Sequence, residues 1–269
     1  MKLFIQDNCF SHCIYSNNPL PPIQFSDDIE WDRSNKFLDS DFVIYTDNEI
    51  FKTRNSNKNI AWLIEPKELQ SNTYEYIVKN YFKFYKIFTH DIDLMKLPNS
   101  ILIPYGGCWI KKEDFLIYPK NKNISIVCSN KNYLSGHKLR HECIDKFKNI
   151  IDIYGNGYSP IDYKLKTLKD YRFQIVIENT KKNFWFTEKL IDCFVTGTVP
   201  IYHGCPSIFK FFNTEGMIIF DTLNELDQII KNLDENKYNS MLNSILENYK
   251  KANEYILAEK SISQIISNI

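Results

Sequence analysis

Residues 171–204, YRFQIVIENTKKNFWFTEKLIDCFVTGTVPIYHG, gather side chains that could handle a diphosphate. Glu178, Asn179 and Thr180 follow an apolar run. That is the pattern of polar groups carried past the end of a buried strand, so their side chains are expected to face a cleft. Thr187, Glu188 and Lys189 then open a helical segment, with Thr187 placed to cap it. A helix N-terminus presents free N–H groups and the positive end of its dipole, and Lys189 adds a full charge there. A capped surface helix with an ordinary Glu–Lys pair fits the same spacing.

Two other clusters invite a metal reading. Cys9, His12 and Cys13 put three ligand types within five residues, yet no second pair follows at a zinc-site spacing. His90-Asp91-Ile92-Asp93 contains a short DxD after an apolar run, and helix capping explains it equally. No P-loop, zinc-hydrolase helix or Gly-x-Ser-x-Gly elbow occurs.

Strands and helices must position these groups, and the hydrophobic pattern alternates between them. Apolar runs at 1–5, 41–45, 60–64, 86–89 and 100–104 read as strands, and 68–84 has helical spacing. Asn17 to Pro22 reads as a loop, and the polar segment 111–123 as a linker. The alternation then restarts, with strands at 124–128, 150–154, 173–177, 199–202 and 217–220. Helical spacing covers 135–147, 186–195 and 223–256. Two successive α/β patterns predict two doubly wound parallel sheets, 1–118 and 119–269, facing each other across a cleft. In such sheets ligands lie beyond the carboxyl ends of strands, which gives Glu65, Ser129, Gly155, Glu178 and Gly204 as addresses.

Glu178-Asn179-Thr180, Phe186-Thr187-Glu188-Lys189-Leu190, Val199-Pro200-Ile201 and Gly204 together resemble the signature of the α1,3/α1,4-fucosyltransferases. Val127-Cys128-Ser129-Asn130 with Arg140, and Tyr154-Gly155, are similar to further family elements, extending the resemblance over most of residues 60–235. The resemblance implies a GT-B fold of two Rossmann-like domains, GDP-fucose as donor, a glycan hydroxyl as acceptor, and inversion at the anomeric carbon. By the same resemblance the C-terminal domain holds the nucleotide, the N-terminal domain the acceptor, and the terminal helix crosses back to the N-terminal domain. Lys189 and Arg140 would contact the diphosphate, Glu188 the ribose or sugar, and Asn179 the region near the phosphates. Val127, Ser129, Tyr154, Gly155 and Glu178 would complete the nucleotide-sugar site. Two cations meeting a departing diphosphate do the work of a metal ion, so neither metal nor cofactor is expected.

Inversion needs a group to take the acceptor proton as oxygen attacks, usually a carboxylate. Ile64-Glu65-Pro66 stands where the family has Glu-Ser-Pro, but here Ile and Pro flank the Glu and the Ser position is lost; the resemblance makes Glu65 the candidate base and Glu68 the reserve. Pro66 forces an extended turn that would aim Glu65 into the cleft, and apolar neighbours would raise its basicity. A strand-end glutamate paired with a nearby lysine is the structural alternative, as a solvated helix residue is for Arg140.

Composition sets the outer limits. The 269 residues carry 33 basic and 33 acidic side chains, so no general field attracts nucleic acid or anionic lipid. Seven cysteines without a dense framework, no export signal and no membrane-length apolar run predict a cytoplasmic protein with reduced thiols. Two other functions fit the pattern. One is a transferase of the same fold using another sugar nucleotide; the other is a non-catalytic nucleotide- or carbohydrate-binding module.

Overall fold

The computed structural model describes residues 2–7, 30–33 and 36–267. Cys9, His12, Cys13 and the 17–22 loop lie outside the described residues. The chain divides into two compact units: 1–109 with 183–185 and 257–269, and 110–182 with 186–256.

The first unit is built on strands β1 (Lys2–Gln6), β2 (Glu30–Asp32), β3 (Val43–Thr46), β4 (Asn59–Trp62), β5 (Lys86–Thr89) and β6 (Ser100–Leu102). They form one sheet in the order β2-β1-β3-β4-β5-β6, every pair parallel. A parallel sheet is buried on both faces, and its strands read as near-continuous apolar runs rather than alternating ones. Leu3, Ile5, Ile44, Ile60, Trp62, Ile64 and Phe88 point to one core. Their strand neighbours Phe4, Val43, Tyr45, Ala61, Leu63 and Ile87 point to the other. Helix α1 (Lys67–Asn80) supplies Tyr74 and Ile77 to the second core. The first core is closed by Ile262 and Ile266, from a helix at the end of the chain. Those two burials are why this helix counts with the first unit, the crossing back that the resemblance implied for the terminal helix.

The second unit repeats the scheme. Its elements are β7 (Lys122–Val127), α2 (Ser135–Phe147), β8 (Asp152–Tyr154), β9 (Tyr171–Ile177), α3 (Glu188–Val195), β10 (Val199–His203) and β11 (Ile218–Ile219). Helices α4 (Leu223–Lys231), α5 (Glu235–Ser240) and α6 (Leu242–Ala252) follow, and α7 (Ala258–Ser267) ends the chain. The sheet order is β11-β10-β9-β7-β8, again parallel throughout. After β8 the chain returns to the far side of β7, so the strand order reverses between β7 and β9. Ligands of open α/β sheets bind past the strand ends at such a switch point. Ser129 and Glu178 each lie just beyond the two strands that flank it. One further tie fixes the approach to β7. Lys120 Nζ lies within hydrogen-bond distance of the carbonyls of Leu168, Lys169 and Thr196 and of Thr198 Oγ1, at 2.9–3.2 Å, four acceptors sharing its N–H groups. Burial pulls that amine down to about 7.

Among the described residues the five cysteines are buried, and no helix is long and apolar enough to cross a membrane.

Candidate functional site

Three chain segments meet beyond β7, β9 and β10. Gly136, in the first turn of α2, donates its amide to the Asn179 carbonyl at 3.0 Å. A Cβ there would lie 1.8 Å from the Glu178 carbonyl oxygen, so only glycine lets α2 start this close to the end of β9. Gly204 is also confined, since its Cβ would fall 2.4 Å from the Tyr202 hydroxyl and 2.7 Å from Glu178 Cγ. Gly155, at φ +111°, would set a Cβ 2.1 Å from the Cys128 carbonyl oxygen.

Two cations stand in this frame. Arg140 is 5% exposed and not solvated. Its Nε and Nη2 donate to the Ile177 carbonyl at 2.9 and 2.6 Å, and Nη2 also to Asn179 Oδ1 at 2.7 Å. Nη1 is committed to none of these. Burial lowers the guanidinium's pKa, and the charges of Glu178, Cys128 and Glu188 oppose the shift. Arginine stays ionised regardless. Lys189, at the first turn of α3, donates to Thr187 Oγ1 at 3.0 Å and Glu188 Oε1 at 3.1 Å.

The carboxylates differ in what they face. Glu178 is fully buried and turned onto the start of α3, not outward as the strand-end pattern suggested. Its Oε1 accepts the Thr187 amide at 2.9 Å and its Oε2 the Thr187 hydroxyl at 2.8 Å. The physical reason is the helix itself: its first amides are unpaired and its dipole favours an anion there. Thr187 in turn caps α3 as its spacing predicts, its hydroxyl accepting from the Lys189 amide. Glu188 stays nearer the surface, with its side chain 13% exposed. Burial pushes its carboxyl up, but the ammonium groups of Lys189 and Lys164, with bonds from Lys189 and Thr187, hold it below its ordinary value.

Tyr154 departs from the group. Its hydroxyl bonds that of Tyr171, the first residue of β9, at 2.7 Å, whereas Glu178 follows the last. Its backbone carbonyl still meets the Cys128 amide at 2.8 Å. Ser129 is half-buried, its Oγ accepting from the Lys131 amide at 3.4 Å, and Val127 is half-buried at the end of β7. Ser129, Arg140, Asn179, Glu188 and Lys189 are thus brought to one edge of the sheet, with Glu178 beneath them.

Sequence reasoning missed two groups here. His137, 2% exposed, accepts the Leu134 amide on Nδ1 at 3.3 Å and is pulled down to about 4 by burial and by Arg140, Lys131 and Lys189. Lys164 makes a buried pair with Asp192 at 2.6 Å. The Lys164 charge comes from a distant loop, and no local spacing announces it. Asp192 stands one turn beyond Glu188 and Lys189, so spacing alone reads it as part of the helix's polar face.

In the first unit, Glu65 is half-buried beyond β4. Asp47, just past β3, is 2% exposed and holds φ at 42°. A left-handed residue other than glycine costs about 1–3 kcal/mol, and such strain gathers at functional sites. Asp91 of the DxD spends Oδ1 on the amides of Asp93 and Leu94 at 2.9 and 3.1 Å, while Asp93 pairs with Lys96 at 2.7 Å. Among the described residues no group of three or more His, Cys, Asp or Glu could hold a metal ion. Glu68, the reserve candidate, is exposed in the first turn of α1.

Comparison with known proteins places this geometry. The profile of "Glycosyltransferase family 10 (fucosyltransferase) C-term" matches residues 117–255, a stretch that contains every second-unit residue named above. The α-(1,3)-fucosyltransferase FucT of Helicobacter pylori is 32% identical over 133 residues, 46% of this chain and 27% of that protein. The match thus spans about a quarter of that relative's length. A crystal structure of an α1,3-fucosyltransferase with GDP superposes with a TM-score of 0.59 at 19% identity, covering 97% of this chain and 88% of that one. One with GDP-fucose gives 0.57 at 21% identity, over 90% and 80%. At these identities the likeness is one of fold, the GT-B architecture of two parallel-sheet α/β units.

Proposed function

The chain belongs to glycosyltransferase family 10, the fucosyltransferases, and from that premise we propose that it transfers fucose from GDP-fucose to a glycan hydroxyl with inversion. The observation that carries the reading is the meeting of Arg140, Lys189 and the α3 N-terminus past the strand-order reversal. That edge offers two cations to one diphosphate, while the first amides of α3 are already taken by Glu178 and Thr187.

In the proposed reaction Glu65 takes the acceptor proton while the acceptor oxygen bonds the anomeric carbon. The bond from that carbon to the β-phosphate oxygen breaks, and the electron pair leaves with GDP. Arg140 Nη1 and Lys189 Nζ stabilise the charge that gathers on the phosphate, so no metal ion is called for. Lys189 exchanges its Thr187 and Glu188 contacts for phosphate oxygens. Glu188, ionised at neutral pH, is an acceptor for ribose or sugar hydroxyls. Asn179, with Oδ1 given to Arg140, keeps its amide N–H groups for the phosphate region.

A donor panel tests the reading. Hydrolysis is followed with GDP- and UDP-sugars in EDTA, for the wild type and Glu65→Gln. Turnover of GDP-fucose above the others, lost in the variant by about 10²–10⁴-fold, is expected. Preference for a UDP-sugar moves the protein to another donor on the same fold. Binding without turnover of any donor makes it a binding module.

A further inference from the structure

The end of β4 is held more completely than a strand end requires. Asp47 Oδ1 accepts the amides of Ile64 and Glu65, at 3.0 and 3.3 Å. The Trp185 indole N–H donates to the Ile64 carbonyl at 3.1 Å, and the Tyr74 hydroxyl to the Glu65 carbonyl at 3.0 Å. The peptide before the Glu65 Cα is thereby fixed through both its carbonyl and its N–H. The peptide after it is fixed through its carbonyl, and Pro66 has no N–H to satisfy. Every hydrogen-bonding group of the two peptides that set the direction of the Glu65 side chain has a side-chain partner. The tyrosine is braced in turn, its hydroxyl 3.3 Å from His90 Nε2.

Asp47 accepts its two amides while holding φ 42°, a left-handed conformation that glycine would adopt without strain. A turn needed for its shape alone would be served at least as well by glycine. We propose that Asp47 is a positioning residue, its carboxylate fixing the backbone that aims Glu65 at the acceptor hydroxyl. The proposal rests on the reading of Glu65 as the base.

The test separates the shape of the turn from its acceptor oxygen. GDP release from GDP-fucose, with water as acceptor, is measured for the wild type, Asp47→Gly, Asp47→Asn, Glu65→Gln and the Asp47→Gly/Glu65→Gln double variant. Glycine keeps the left-handed turn and loses the acceptor; asparagine keeps both. Asp47→Gly is expected to lower kcat by about tenfold to a hundredfold, with the KM for GDP-fucose and the Kd for GDP unchanged. Asparagine should recover most of that loss, and the double variant should be no slower than Glu65→Gln alone. Wild-type kcat in Asp47→Gly, beside an inactive Glu65→Gln, overturns the positioning role and leaves the base in place. An active Glu65→Gln, or no GDP release from the wild type, removes the base reading and the proposal together. If Asp47→Gly does not fold, Tyr74→Phe carries the test, because it frees the Glu65 carbonyl without touching the turn. An unchanged kcat there also overturns the proposal.

Discussion

His137 sits one helical turn before Arg140 and must stay neutral to accept the Leu134 amide. Its pKa is pulled down to about 4, first by burial and then by Arg140, Lys131 and Lys189. The unfolded chain takes up this proton near pH 6.5 and the folded chain does not, so stability is fully present above that pH. It is lost as pH falls from 6.5 toward about 4. Urea midpoints across that window should therefore fall less steeply in His137→Gln than in the wild type. Equal slopes would place the acid sensitivity elsewhere. At this scale the sequence disclosed residues whose chemistry is local. Thr187 was readable as a cap because capping needs only its own helix start. The inward turn of Glu178 was not, because it depends on where α3 arrives relative to β9. Arg140 was identified by resemblance, but its burial against Ile177 and Asn179 comes from the packing of α2 on the sheet.

Helix α3 carries the proposed phosphate contact of Lys189 at its start and is anchored near its middle. Asp192, one turn beyond Glu188, pairs with Lys164 at 2.6 Å, their side chains 0% and 7% exposed. Burial alone would lower the Lys164 amine, but Asp192 and Glu188 hold its pKa above the ordinary value. Removing one member of a buried pair leaves a desolvated charge and costs about 3–5 kcal/mol. Lys164→Met should lower unfolding stability by that order in urea, and Lys164→Met/Asp192→Leu should recover much of it. Failure of the double variant to recover would mean that the pair also packs the loop before β9. Most elements were legible where periodicity was strong. Helix α2 runs from Ser135 to Phe147 as its spacing predicts, and β5 from Lys86 to Thr89. The three-residue strand β2 was not, since Glu30–Asp32 has no apolar run and takes its order from pairing with β1. The single helical pattern over 223–256 is in fact α4, α5 and α6. Asp234 accepts the Lys237 amide and starts a new helix inside what periodicity alone reads as continuous.

At the scale of the whole chain, the repeated α/β alternation was enough to predict two parallel sheets, because buried parallel strands declare themselves by composition. Which helix covers which sheet was not open to the same reasoning in every case. That α7 packs with the first unit follows from the burial of Ile262 and Ile266 against Leu3, Ile5 and Trp62, contacts more than 190 residues apart in sequence. The family match covers the second unit's site, while Glu65 lies outside it, so the donor site is where the reading is most open to direct challenge. Isothermal titration of GDP, UDP and ADP in EDTA, into wild type and Lys189→Ala, addresses that site without an acceptor. One charge-assisted contact contributes about 1.5–3 kcal/mol, or about ten- to a hundredfold in Kd. The expected result is binding of GDP ahead of UDP and ADP, undiminished by EDTA and weakened by that factor in the variant. Absence of binding to any of the three nucleotides, or GDP affinity unchanged in Lys189→Ala, would contradict the donor site described above.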